Sequence, residues 1–488
     1  MPIMPVILWT DALVFLLVAA ILAMVWYVRR HEHLRAPWGK VARSRTGMCS
    51  AVVLSVFVVI GLLDSLHYRP RMQGGVEGGA ANYAAEVRSA FDALAGTLRT
   101  RTERTYSSPL AAHAFARESI TRPDGTQARE FPRLRYGGAH LEDPARTLWG
   151  DVARKTLGGM ALALAVWTVL SMLLAALLSA RRGCGIAETI SDLVHARTGV
   201  PWRAMLLTAG AMFALAGPVF VLGAHYHVLG TDKVGQDILY QSLKSIRTGL
   251  VIGTLTTLVM LPFAVILGLM AGYFKGWIDD VVQYVYTTLS SIPSVLLIAA
   301  AVLLTQVWMD NRPELFETVT ERADVRLLFL CLILGITGWT GLCRLLRGEA
   351  LKLREADYVQ AARAFGVRDA RIITRHLLPN VMHLVLIAAV MDFSGLVLAE
   401  AVLSYIGVGV DPSMISFGTM INNARLELAR EPMVWWSLAS AFVFMFVLVL
   451  AANLFSDAVR DAFDPRMPSK GVLPAMFRPA QRLGARGA

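Results

Sequence analysis

Residues 358–379 read YVQAARAFGVRDARIITRHLLP. An alanine-rich turn runs into Gly366, a second turn carries Arg368, Asp369, Arg371, Arg375 and His376, and Pro379 opens an apolar run. Ala361 and Ala362 favour helix, Gly366 can end it in the left-handed conformation, and Pro379 suits the first turn of the next helix. The spacing predicts two short polar helices around a glycine, set at the mouth of a long hydrophobic segment. From physics alone such a stretch is either an amphipathic loop lying on anionic lipid or a surface on which another protein docks.

The surroundings narrow the choice. The 488 residues are 55% hydrophobic and only 17% charged, with a mean hydropathy of +0.52; a soluble domain carries about a quarter charged residues. Apolar runs at 8–28, 47–66, 157–180, 204–224, 248–272, 283–305, 327–346, 382–404 and 434–456 approach the roughly 20 residues that cross a bilayer as a helix. The chain reads as an all-α polytopic membrane protein with about nine transmembrane helices. Its first run lacks a basic leader and a small-residue cleavage site, so it reads as a retained helix. The net charge of +11 belongs with cytoplasmic loops and an anionic bilayer surface, not with nucleic acid.

Positive charge orients the chain. Residues 29–45 carry six Lys/Arg against one Glu, 347–381 carry seven Lys/Arg, and the tail from 457 carries six against three acids. Nine spans then put the N-terminus outside and the C-terminus in the cytoplasm. Residues 67–156 are polar and fall outside. Within them 83–100 places Val87, Phe91, Leu94 and Leu98 at helical period, predicting a small helical external domain or hairpin. Cys49, Cys184, Cys331 and Cys343 form no CxxC pair and read as small buried hydrophobes. HEHLR at 31–35 is not HExxH, and no metal site is expected. Asp64, at a span end, is expected to reach the interface. Pro262 and Gly268 read as close-packing positions in their helix.

The opening stretch resembles the EAA loop of ABC-importer permeases, with the pattern E-A-A, three residues, G, nine residues, I-x-L-P. Gln360, Ala361, Ala362, Gly366, His376, Leu378 and Pro379 sit at those spacings. Gln360 replaces the glutamate, and His376 replaces the isoleucine as in the dipeptide/oligopeptide/nickel branch. Three further blocks resemble that branch in order: LGTDKVGQDILYQSLKSIRTGLVIG (229–253), AEAVLSYIGVGVDPSMISFGTMI (399–421) and NLFSDAVRDAFDPR (453–466). Residues 38–64 resemble its first helix. The resemblance covers about 229 to 466 and implies a type I ABC-importer permease core, preceded by two helices in 1–66, the external insertion 67–156 and two additional helices in 157–228, and followed by a cytoplasmic tail at 467–488. It also implies a division of labour. A second homologous permease shares the pathway, two ATP-binding subunits dock on the paired EAA loops, and an external solute-binding protein delivers the solute, peptide or related compound. No G-x-x-x-x-G-K-[ST] occurs, so ATP is expected to be used by partner subunits, with no cofactor bound by this chain and no enzymatic activity of its own.

Other polar residues have two readings each. Gly230, Thr231, Asp232, Gly235 and Asp237 form either an external gate or binding-protein contact, or turn and capping chemistry. Asp392 and Glu400 lie in one apolar span, where a carboxylate is costly; each either lines the pathway or makes a structural hydrogen bond. Eight residues separate them by about 12 Å and roughly 80° around the helix, so they are not one site. Two rival functions follow from the same residues: a proton-coupled secondary transporter using Asp392 and Glu400, and a non-transporting membrane scaffold.

Overall fold

A computed structural model describes residues 3–30, 32–71, 83–121, 127–316 and 318–463. The tail 467–488 and most of the side chains of 31–35 lie outside the described residues. A short strand β1 (Ile3–Val6) leads into α1 (Trp9–Arg30), α2 (Glu32–Val41) and α3 (Arg45–Asp64). The chain returns as β2 (His67–Pro70), antiparallel to β1 with Ile3 opposite Pro70 and Val6 opposite His67; β3 (Arg88–Ser89) completes the sheet.

The helix expected over 83–100 is broken into α4 (Ala90–Leu94) and α5 (Gly96–Thr100). Ser89 starts α4 through a capping box with Asp92, which forces the preceding residues into extended backbone. Phe91 is buried, but Leu94 is 71% exposed, so the four apolar positions do not share one buried face. A two-stranded hairpin, β4 (Glu118–Thr121) and β5 (Gln127–Glu130), follows; the region is mixed, not helical.

Helix α6 (Pro144–Arg182) begins well before the apolar run that marks it, because Asp143 caps it and Pro144 occupies its first turn. It ends at Gly183 (φ 70°). After α7 (Ile186–Val194), α8 (Trp202–Gly223) packs along α6. Small residues let the backbones meet: a Cβ on Gly217 would lie 2.4 Å from the carbonyl oxygen of Gly159, the close approach that membrane helices use in place of a hydrophobic driving force.

Helix α9 (Ile238–Phe274) is the axis of the remaining bundle. Its 37 residues extend about 55 Å at ~1.5 Å per residue, long enough to join the two ends of the molecule. Around it pack α3, α10 (Trp277–Ser291), α12 (Val319–Gly338), α13 (Thr340–Arg354) and α16 (Leu378–Ile406). Gly268 and Gly272 admit α13: Cβ atoms there would lie 2.9 Å from Leu346 Cβ and 2.5 Å from Ala350 Cβ. Close packing is thus the role of Gly268, and Pro262 sits within an unbroken helix.

The run expected as one span at 283–305 is not straight. Helices α10 and α11 (Ser294–Asp310) meet at 90°, because Pro293 disfavours helical backbone at Ile292 (ψ 131°). Helices α14 (Asp357–Ala364) and α15 (Asp369–Ile372) follow α13; α17 (Phe417–Glu427) and α18 (Trp436–Phe463) close the described chain. Among the described residues eight helices are long and apolar enough to cross a membrane, and the bent pair makes a ninth candidate. Cys331 and Cys343 are buried, whereas Cys184 is exposed and Cys49 half-buried; the expectation of four buried thiols fails in the α6–α7 turn, which nothing covers.

Candidate functional site

The opening stretch stands at the end of α9 marked by Phe274. Val359, Ile372 and Leu377 are at most 1% exposed and sit in one apolar cluster with Leu346 and Val381. They hold the loop down. Between them Gly366 takes φ 72°, and Val367 N–H bonds Ala362 O at 3.1 Å, a left-handed helix ending that only glycine adopts freely. Gln360, Ala361, Arg363, Arg368, Arg371, Arg375 and Pro379 face out, while Ala362, His376 and Leu378 are half-buried. Gln360 Nε2 donates to Arg354 O at 3.0 Å, a local bond in place of an outward charge.

Polar ties to the bundle fix the loop's orientation. Tyr273 O–H donates to Asp369 Oδ1 at 2.5 Å, and Lys275 Nζ meets Glu355 Oε1 at 3.1 Å. Asn380 Nδ2 donates to the Tyr358 hydroxyl at 3.1 Å. Next to the loop Arg347 pairs with Asp279 at 2.5 and 2.7 Å, joining α13 to α10. Sequence reasoning missed Phe365, which is 88% exposed at the tip. A phenylalanine just before a helix-ending glycine was the available signal. Exposed aromatics and arginines around small residues are the composition of a protein-docking surface.

At the opposite end of α9, residues 229–237 are mostly covered. Thr231 is 0% and Asp237 2% exposed. Ser107 N–H donates to Thr231 Oγ1 at 2.7 Å, Thr231 N–H donates to Ser107 O at 3.1 Å, and Glu103 N–H donates to Gly235 O at 2.9 Å. Trp436 Nε1 donates to Thr231 O at 3.0 Å. Gly230 and Gly235 both have φ 76°; a Cβ on Gly235 would lie 1.9 Å from Glu103 O. Asp237 caps α9 by accepting from Leu239 N–H at 2.9 Å, and its other oxygen lies 2.7 Å from His227 Nδ1. Asp232 organises the turn by accepting from Val234 and Gln236 N–H, both at 2.9 Å. Gly230, Asp232, Gly235 and Asp237 have the geometry of turn and capping chemistry, whereas Thr231 is bonded to residues 105–107; Lys233 and Val234 beside them are exposed.

His227 also lies 3.3 Å from Glu103 Oε1. Burial opposes the charge on both groups, but the two carboxylates hold His227 up at about 9. Burial likewise raises Glu103, yet His227 and the N–H groups of Tyr136, Arg135 and Gly137 bring it down to about 2. A buried imidazolium therefore joins residues 103–137 to the start of α9.

A second buried network was not legible in the sequence. Arg247 Nη2 lies 2.6 Å from Asp11 Oδ1 and 3.7 Å from Asp324 Oδ1; Asp11 also meets His67 at 2.7 Å, and the Thr10 hydroxyl donates to Asp324. These bonds fasten α1 to α9 and α12. Asp64 does not reach the interface: it accepts from the Ser89 hydroxyl at 2.6 Å and is 2% exposed, because β2, β3 and α4 fold over that span end. Lys244, 2.6 Å from Asp92 and 3.4 Å from Asp64, lines a cavity of about 220 Å³ with Arg247, Asp92 and Asp324.

Asp392 and Glu400 part company. Glu400 is 1% exposed and accepts from Ser404 and Ser416 hydroxyls at 2.6 and 2.9 Å, tying α16 to the capping residue of α17. Asp392 is half-buried and makes no hydrogen bond or ion pair among the described residues, so of the two it is the one free to face a pathway. No group of three metal-ligating side chains occurs among the described residues.

The end that carries the loop 358–379 matches one family. Its profile, described as binding-protein-dependent transport system inner membrane component, matches residues 264–469. An oligopeptide transport system permease protein of Mycobacterium tuberculosis is 34% identical over 239 residues, 49% of this chain and 76% of its own. The chain belongs to the family of binding-protein-dependent transport permeases. A glutathione transport system permease protein of Pectobacterium atrosepticum (32%, covering 50% of this chain and 74% of its own) and a dipeptide transport system permease protein of Bacillus subtilis (30%, 49% and 69%) are also similar. The chain is thus a multi-pass inner-membrane transport component, and membership implies ATPase and binding-protein partners. Residues 1–263 precede the profile match.

Proposed function

We propose that this permease is one half of the translocation pathway of an ATP-driven importer for a peptide or related small solute. The second half is a homologous permease, and two ATPase subunits dock on the paired EAA loops. The observation that carries the coupling role is the loop itself: Phe365 and four arginines stand outward on a frame pinned by Val359, Ile372 and Leu377. A rigidly anchored docking element transmits a rigid-body movement, whereas a loose loop absorbs it. The substrate class follows from the relatives named for oligopeptide, dipeptide and glutathione transport.

The N-terminus and residues 83–143 lie outside, and the EAA loop and C-terminus lie in the cytoplasm. Two observations support this orientation: the Lys/Arg excess around 29–45 and 347–381, and the pairing of β1 with β2 at the end of α9 remote from the loop. The chain carries no cofactor; ATP is hydrolysed on its partners. Asp392 faces the pathway, and the arginine-rich loop contacts lipid and protein, not nucleic acid.

A mild-detergent pull-down of the tagged chain, read by mass spectrometry, is expected to recover a Walker-A ATPase, a second permease and a solute-binding protein. Recovery of the chain alone, while a known importer complex stays intact, would support a secondary transporter. Ala361→Glu and Gly366→Arg are expected to abolish transport at normal membrane expression, and Phe365→Ala to weaken ATPase association at least ~10-fold. ATPase association that survives all three would remove the docking role.

A further inference from the structure

Because residues 103–107 lie over Gly230, Thr231 and Gly235, a partner arriving at that end meets residues 83–143 before the family core. There an open groove of about 840 Å³ is shared by three parts of the chain: residues 108–117 with 129 and 131, the first turns of α6, and Glu431–Pro432 ahead of α18. Its floor includes Leu110, Phe115 and Leu148. Phe131 and Trp149, 48% and 71% exposed, stand at its sides.

Arg117 and Arg129 line the same groove and are exposed. Arg117 lies over the Phe131 ring at 5.2 Å. Neither arginine has a carboxylate partner among the described residues, and Glu431 is the one acid in the lining. Apolar and aromatic walls with two guanidinium groups that meet no carboxylate among the described residues are complementary to a protein surface that brings an apolar side chain flanked by carboxylates.

We infer that this groove is the docking seat of the external solute-binding protein, displaced here from the 229–237 loop onto the segment that covers it. The inference rests on the importer reading and its orientation. The occupant is a folded acidic-rimmed protein, since the groove joins the covering segment to core residues 431–432 and so relays contact to α18. Docking there leaves Lys233 and Val234, exposed at the edge of the turn, as minor contacts.

The test uses the full complex, permeases with ATPases, in lipid nanodiscs, and as probe the solute-binding protein recovered with it. Affinity is read by biolayer interferometry at low and high salt. Arg117→Glu with Arg129→Glu is expected to weaken binding at least tenfold and to flatten its salt dependence, with basal ATPase rate unchanged; Arg117→Gln with Arg129→Gln should fall between. Lys233→Ala with Val234→Ala should change affinity less than twofold. Wild-type affinity in the double glutamate variant overturns the inference, as does a larger loss in the Lys233/Val234 variant. So does quenching of Trp149 by brominated lipid that persists with the binding protein bound, which would make the groove a membrane seat. If no binding protein binds or stimulates the wild-type complex, it is the importer reading that fails.

Discussion

Two residues at the junction of residues 83–143 with the core make separable predictions. Gly235 has φ 76° and Glu103 O beneath it, where a Cβ would lie at 1.9 Å. Gly235→Ala is therefore both strained and blocked, with an expected loss of roughly 2–4 kcal/mol, read as a lower midpoint of thermal unfolding in detergent. His227 tests the same junction through pH. Its folded value of about 9 exceeds the usual 6.5, so its stabilisation is complete below about pH 6.5 and lost as pH rises toward 9. The full effect is roughly 3 kcal/mol. Hydrogen exchange at residues 103–107 and 134–137 should stay slow at pH 6 and accelerate, after correction for intrinsic rates, by pH 9; His227→Gln should remove that pH dependence. A wild-type profile unchanged from pH 6 to 9 would refute the buried imidazolium. Gly235 was legible in the sequence as a turn glycine; Glu103 as its neighbour was not, since 132 positions separate them.

Among the elements, α1 depends most on a few side chains. Its outward face is apolar and exposed, with Leu16, Ile21, Leu22 and Trp26 all above half exposed, so lipid covers it and packing alone does not fix its place. Thr10 and Asp11 do, through Arg247 and Asp324. Arg247→Met leaves two carboxylates buried without their cation, at an expected cost of about 3–5 kcal/mol. The variant should unfold at lower temperature, and Asp11→Asn added to it should recover part of the loss. A single variant as stable as wild type would mean the network is dispensable. The hydrophobic runs announced the helix itself, because crossing a bilayer demands length and apolarity. They did not announce that α10 and α11 meet at 90°. Pro293 was visible, but a proline in an apolar run is compatible with a kinked single span, and neighbouring elements decide how far it bends.

For the whole molecule, orientation is the property on which partner placement rests. Cys184 is exposed in the α6–α7 turn, beside Arg181 and Arg182. A membrane-impermeant maleimide should label it in inside-out vesicles and not in intact spheroplasts, while Cys331, fully buried, stays unlabelled in both. Labelling from the outer side would invert the topology, and with it the assignment of the loop to the ATPases. The two ends of α9 are what make such a test informative. One end carries the pinned loop, the other the covered turn, and about 55 Å of helix at ~1.5 Å per residue separates them.

What the sequence determined by itself was whatever depends on local composition: the apolar runs, the Lys/Arg asymmetry, and the spacing of Gln360, Ala361, Ala362, Gly366 and Pro379 that resembles a coupling loop. Each is a property of neighbours along the chain, set by bilayer thickness, by charge placement or by one glycine's left-handed backbone. Only the tertiary structure decided the rest. It buried Asp64, paired Asp11 with Arg247, bonded Glu400 to Ser404 and Ser416 and left Asp392 without a hydrogen-bond or ion-pair partner among the described residues. It also laid residues 103–107 over 230–235. Buried charges find partners wherever the fold supplies them: Ser404 lies on Glu400's own helix, but Arg247 lies 236 positions from Asp11, beyond the reach of any local pattern.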